Sequence, residues 1–264
     1  MEHYTKRKLL SLSKLHQRRS SWKNHQSLKF GIGPRPPLFS LEDKIKMILD
    51  QQQSSSCTGF SFSQNLRLQN FSISDPSALW IYAQERILEQ GASRNFLSDN
   101  GANPADALTV LLQIGVVSDK DYPFSMQNVT KVPSSSLLNV SKQHKVSRAY
   151  AVNPNDLETM KQTLSKGIPI SVGIILYDSF MSYDMAQTGE GKMPKPGEGV
   201  CGGHEVLLIG YNDNTSQFLL INSWGGGWGR KNGFTSWNGG GLFTLPYSYF
   251  SNSYLAMAAG IIIP

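Results

Sequence analysis

The sequence predicts an α+β protein in which helices lead and strands follow. Three observations carry that reading. Residues 57–115 hold helix-length apolar patterns closed at both ends by capping residues, whereas residues 168–224 hold short β-branched and leucine runs bounded by turn residues. The two kinds of segment do not alternate, which argues against βαβ units. A chain of 264 residues is long enough for one large domain or two lobes sharing a cleft.

The elements follow in order. GIGPRPPLF (31–39) is a linker, because its glycines and prolines cannot continue a helix. CTGFSFSQNLRLQ predicts a helix starting at about Ser56 or Cys57. SDPSALWIYAQERILEQG offers Asp75 as N-cap, Pro76 at the first helical position and Gly91 as stop. NPADALTVLLQIG repeats the scheme with Asn103, Pro104 and Gly115. NPNDLETMKQTLSKG sets Asn155 three residues before Glu158, a relative of the capping box, and ends at Gly167. IPISVGIIL (168–176), HEVLLIGYN (204–212) and QFLLINSW (217–224) read as buried strands, and LAMAAGIIIP (255–264) as a terminal core strand. No stretch is long and apolar enough to span a membrane.

The net charge of +6 is unevenly placed. Residues 1–35 hold nine Lys or Arg against Glu2 alone, so the remainder carries sixteen basic and eighteen acidic residues. The high isoelectric point therefore belongs to an N-terminal arm. Such an arm is either a solvated tail, a short pro-segment, or a contact for nucleic acid, an anionic surface or an assembly. It lacks the apolar core of a secretory signal, and two cysteines make no disulfide framework. A reducing compartment is the expected setting.

Cys57 taken alone reads as a small buried hydrophobe. At a helix start, however, a thiol faces unpaired N–H groups and the positive end of the helix dipole, which favour thiolate. Of five histidines, only His204 follows two glycines at the start of a buried strand, in CGGHEVLLIGYN. Asn222, in INSWGGGWG, ends another apolar run; an amide there can orient an imidazole and fix its tautomer, shielded by Trp224. Each signal has a bland alternative: a core thiol, a structural histidine, a turn.

Together these residues resemble the papain-like cysteine peptidases, over roughly residues 36–264 and in that family's order Cys, His, Asn. GGHEVLLIGYN, INSWGGGWGRKNGF and NGANPADALTVLLQIGVVSDKDYPF are similar to its motifs, and His204 lies 147 residues after Cys57. SALWIYAQER, the Cys-Thr pair and LPYSYF look like the intracellular bacterial, archaeal and large-virus branch. Ser54 stands where the lysosomal branch has a disulfide cysteine.

The resemblance implies a two-lobed fold. Residues of about 50–140 would form the helical lobe and 141–264 an antiparallel, barrel-like lobe, with the cleft between them. It implies Cys57 as nucleophile, His204 as acid and base, Asn222 as orienter, and Gln51, six residues before Cys57, in the oxyanion hole. It implies Gly101, Ala102 and Gly203 as substrate-binding, Trp224 and Trp228 as shields, a polypeptide substrate, and no metal or organic cofactor. Three readings stay open: an endopeptidase, a papain-fold structural or interaction protein with a silent site, and another acyl transfer on the same triad. Departures are Thr58-Gly59 for Trp-Ala, Glu205 for Ala, and an extended GFTSWNGGGLFTLPY that would add a flap. Glu205 either points away from the site or inward toward His204. Cys201 is either a neutral loop thiol or a redox lock that pairs with Cys57.

Overall fold

A computed structural model of the chain describes residue 26 and residues 33–91, 95–252 and 256–264, apart from the side chains of 257–259 and 261. Most of the basic arm thus lies outside the described residues. Its end does not: Gly33 O accepts from Gln162 Nε2 at 2.6 Å, and the Arg35 guanidinium reaches both Glu158 and Asp213.

The chain opens with strand β1 (Leu38–Ser40) and then runs to helices α1 (Cys57–Leu68) and α2 (Ala78–Gln90). Helix α3 (Pro104–Thr109) continues into a π-turn over Val110–Ile114, and α4 (Leu137–Ser141) closes the helical half. Strand β2 (Arg148–Val152), helix α5 (Leu157–Ser165), strand β3 (Ile170–Tyr177) and helix α6 (Tyr183–Thr188) follow. The rest is β4 (Val200–Asn212), β5 (Gln217–Ile221), β6 (Leu242–Pro246), α7 (Tyr247–Phe250) and β7 (Ala256–Ile263).

The strands form one seven-stranded antiparallel sheet in the order β2-β7-β3-β4-β5-β6, with β1 pairing β4. Among the described residues β2 and β6 lie at the two ends of this order. The α+β class and papain-like layout expected from the sequence are what is seen.

Two of the three expected N-caps move. Helix α2 is capped by Ser77, whose hydroxyl accepts from Trp80 N–H, not by Asp75. Pro76 bridges to Ser118 and Asp75 pairs with Arg67, so the chain is still extended there. Helix α5 is capped by Asp156, since the Asn155 amide is spent on Phe250 O. Asn103 caps α3 as expected, its Oδ1 accepting from Ala105 N–H at 3.1 Å while its own N–H donates to Glu89 Oε1.

Separate cores fill the two lobes. Phe62, Leu66, Trp80, Leu108 and Leu111 pack the helical one, joined by Val146, Ala149 and Ile262 from the chain's second half. Trp224, Trp228, Phe180, Phe243 and the β3–β5 side chains pack the other. Helix α1 binds them: Ser61 Oγ donates to Val206 O, and Asn65 Nδ2 donates to Pro169 O. Gly59 lets α1 and α2 meet, because a Cβ there would lie 2.2 Å from Ala78 O.

Candidate active site

Cys57 is the first residue of α1, and its sulfur accepts the backbone N–H of Glu205 in β4. The helix that begins at Cys57 is therefore fastened directly to the strand that carries His204. Along β4 the side chains alternate. His204 lies on the same face as Val206 and Leu208, which pack in the Trp224 core. Glu205 lies on the face of Leu207 and Ile209.

His204 is 3 % exposed, and its Nε2 lies 2.8 Å from Asn222 Oδ1. Ser223 N–H donates to that same oxygen at 2.8 Å. An oxygen that already accepts one N–H meets Nε2 as an acceptor, so the neutral ring carries its proton on Nε2 and Nδ1 is the basic nitrogen. Trp224 covers the pair with ring centroids 5.0 Å apart, and Trp228 lies 5.1 Å behind it. Both tryptophans are almost fully buried.

Gln51 is fully buried and clasped from both sides. Its backbone N–H donates to Ser223 O, its Oε1 accepts from Ser223 Oγ at 2.6 Å, and its Nε2 donates to Ser54 O at 2.7 Å. Ser223 thus touches both Asn222 and Gln51, a connection that its place inside the NSW turn conceals. On the helical side, Asp99 Oδ1 accepts from Ser55 N–H and from Tyr82 Oη, both at 2.9 Å, and Tyr82 Oη accepts Gly101 N–H at 3.0 Å. These bonds tie the loop before Cys57 to the Gly101–Ala102 segment. Gly101 spends its N–H in this framework, and Ala102 is buried against Leu79 and Tyr82. Gly203 pairs with Ile175 across β3 and β4. No sequence signal singles out Asp99 or Tyr82.

The electrostatics differ from the thiolate expectation. Burial pushes the Cys57 thiol up to about 12, outweighing the N–H donors of Glu205 and Thr58. The helix start supplies what was expected of it, but desolvation wins. Glu85 is held well above the usual carboxylate range by burial, and accepts from Thr58 Oγ1 at 2.7 Å. Burial does the same to Glu205. Cys201 is exposed, its thiol donates to Asp178 Oδ1 at 3.3 Å, and burial of the sulfur followed by Asp178 pushes it up to about 11. Cys57 and Cys201 are both free thiols. Among the described residues no three His, Cys, Asp or Glu converge to hold a metal, and no helix is long and apolar enough to cross a membrane.

Comparison with known proteins bears on the fold and the family. The model of the papain family cysteine proteases matches residues 39–241. An uncharacterized peptidase C1-like protein of Acanthamoeba polyphaga mimivirus is 30% identical over 221 residues, 79% of this chain and 67% of that protein. Cysteine proteinase 2 of Entamoeba histolytica is 26% identical over 72% of this chain; the match spans 59% of that protein. Xylellain, a cysteine protease from Xylella fastidiosa, superposes with a TM-score of 0.75 at 24% identity, covering 91% of this chain and 92% of its own. Motif order, fold and relatives agree: the chain belongs to the papain family of cysteine proteases.

Proposed function

We propose that the chain is a cysteine-type endopeptidase acting through Cys57, His204 and Asn222. The observation that supports this best is the 2.8 Å contact between His204 Nε2 and Asn222 Oδ1, beneath Trp224, on the strand to which Cys57 is fastened. A thiol held near 12 does not ionise alone, so its proton passes to His204 Nδ1 as the ion pair forms. The thiolate attacks the scissile carbonyl. The Gln51 amide and the Cys57 N–H receive the oxyanion, each such donor being worth roughly 3–4 kcal/mol. His204 then protonates the leaving amine, leaving a thioester on Cys57. A water activated by the same ring hydrolyses it and restores the thiol.

The test is degradation of denatured casein, with mass spectrometry of the quenched reaction. Wild type should cleave and show an acyl adduct on Cys57, whereas Cys57→Ala should do neither. Wild type that leaves casein intact and forms no adduct favours the second reading, a papain-fold scaffold with a closed site. The near-complete burial of Cys57 and His204 is the observation on its side.

A further inference from the structure

Between α1, β4 and the end of β5 lies a cavity of about 10 Å³, the space of a single water, whose lining includes Phe60, Ser61, Gln64, Glu205, Asn222 and Ser223. Four buried polar atoms of these residues have no hydrogen-bond partner within the described protein: Gln64 Oε1, Asn222 Nδ2 and both carboxyl oxygens of Glu205. Their chemistry is complementary. Asn222 Nδ2 needs an acceptor and Gln64 Oε1 needs a donor. A neutral carboxylic acid is both, with one O–H to give and one carbonyl to accept; a carboxylate would face Gln64 acceptor to acceptor.

We propose that Glu205 is a positioning residue of the catalytic line, a neutral acid that joins Gln64 to the Asn222 amide through one water in this cavity. The inference rests on the reading of Asn222 as orienter of His204. Asn222 Oδ1 is already fixed by Ser223 N–H and His204. Glu205 would hold the other end of the same amide, so that the ring, the amide and the acid form one line. Burial, which holds this carboxyl well above the usual range, keeps it in the neutral form the arrangement requires. Gln64 is itself anchored, its Nε2 donating to Met47 O at 3.2 Å. The alternation of β4 explains why an acid directly after His204 acts from behind the site and not inside it.

A double-mutant cycle tests this, read by the alkylation rate of Cys57 with iodoacetamide and by thermal unfolding. Glu205→Ala should slow alkylation about tenfold in the wild-type background but less than twofold in Asn222→Ala. Glu205→Gln, whose amide also gives and accepts, should restore most of the rate. In unfolding, the two alanine substitutions together should cost clearly less than the sum of their separate shifts. Equal Glu205→Ala effects in both backgrounds, or a Glu205→Gln variant as slow as Glu205→Ala, would overturn the proposal. If Asn222→Ala alone alkylates at the wild-type rate, the triad reading fails instead; the unfolding cycle, which needs no activity, then decides the Glu205 contact.

Discussion

Two glutamates, each 2 % exposed, occupy opposite ends of the charge scale in this protein. Glu42, just after β1, accepts the backbone N–H groups of Phe234, Thr235, Ser236 and Trp237, as well as the Ser40 hydroxyl. Burial works against its charge, but these donors outweigh it and hold the carboxyl below its usual range. Glu205 has no such donors, so burial alone keeps it protonated. Side-chain exposure therefore does not decide the charge of a buried acid. The supply of N–H groups does. The Glu42 contacts also shape the loop near residues 230–240: it is wound around a carboxylate from the N-terminal part of the chain, and Gly233 permits it because a Cβ there would lie 2.2 Å from Glu42 Oε2.

The comparison can be broken most forcefully at Glu42. Glu42→Ala strips the acceptor from four successive N–H groups and should cost roughly 3 kcal/mol of stability, measured by urea unfolding. Limited proteolysis should then open the chain within 230–241; an unchanged midpoint and an intact loop would contradict the account.

Opposite charge states also predict opposite pH slopes. Because Glu42 is depressed in the fold, its contribution is fully present above the unfolded carboxylate value, about 4.3, and disappears as pH falls through its lower folded value. Glu205 binds a proton in the fold that the unfolded chain releases, so stability declines as pH rises above about 4.3. Melting curves from acid to mildly alkaline pH should show Glu42→Gln losing part of the acid-side dependence. Glu205→Gln should flatten the alkaline-side decline, raising the melting temperature at pH 8 by ~3 °C while changing little at pH 4.

A third case sharpens the contrast at lower cost. Glu85 is neutral like Glu205 but keeps one partner, Thr58 Oγ1. Thr58→Val removes that partner without changing shape and should cost about 1–2 kcal/mol. Smallest of all, Ser77→Ala should cost about 1 kcal/mol of helix-cap stability, with Asp75→Ala costing less, as thermal melts of the two variants would show.

Much of this was legible in the residues. Gly91, Gly115 and Gly167 stop or follow their helices with φ of 85°, 84° and 83°, and the apolar runs after Gly167 became β3, β4 and β5. Strand β2 was not legible, since RAYAV has no distinctive pattern and is set by pairing with β7. The caps at Ser77 and Asp156 were missed by one or two residues because tertiary bonds of Asp75 and Asn155 claimed the alternative candidates. In the candidate site, Cys57, His204 and Asn222 stood out through glycine, serine and tryptophan neighbours. Asp99, Tyr82, Ser223 and the cavity around Glu205 did not, because they depend on contacts between distant segments. The two alternatives for Glu205 were both open from sequence; the alternation of β4 sets it on the face opposite His204, where it lines the cavity beside Asn222.

The most direct test of the central claim is the site of reaction with a peptidyl epoxide, located by peptide mapping. The account predicts modification at Cys57, lost by at least a hundredfold in His204→Ala, with Cys201 essentially unmodified. A Cys57 that reacts no faster than Cys201, or equally well without His204, would contradict it.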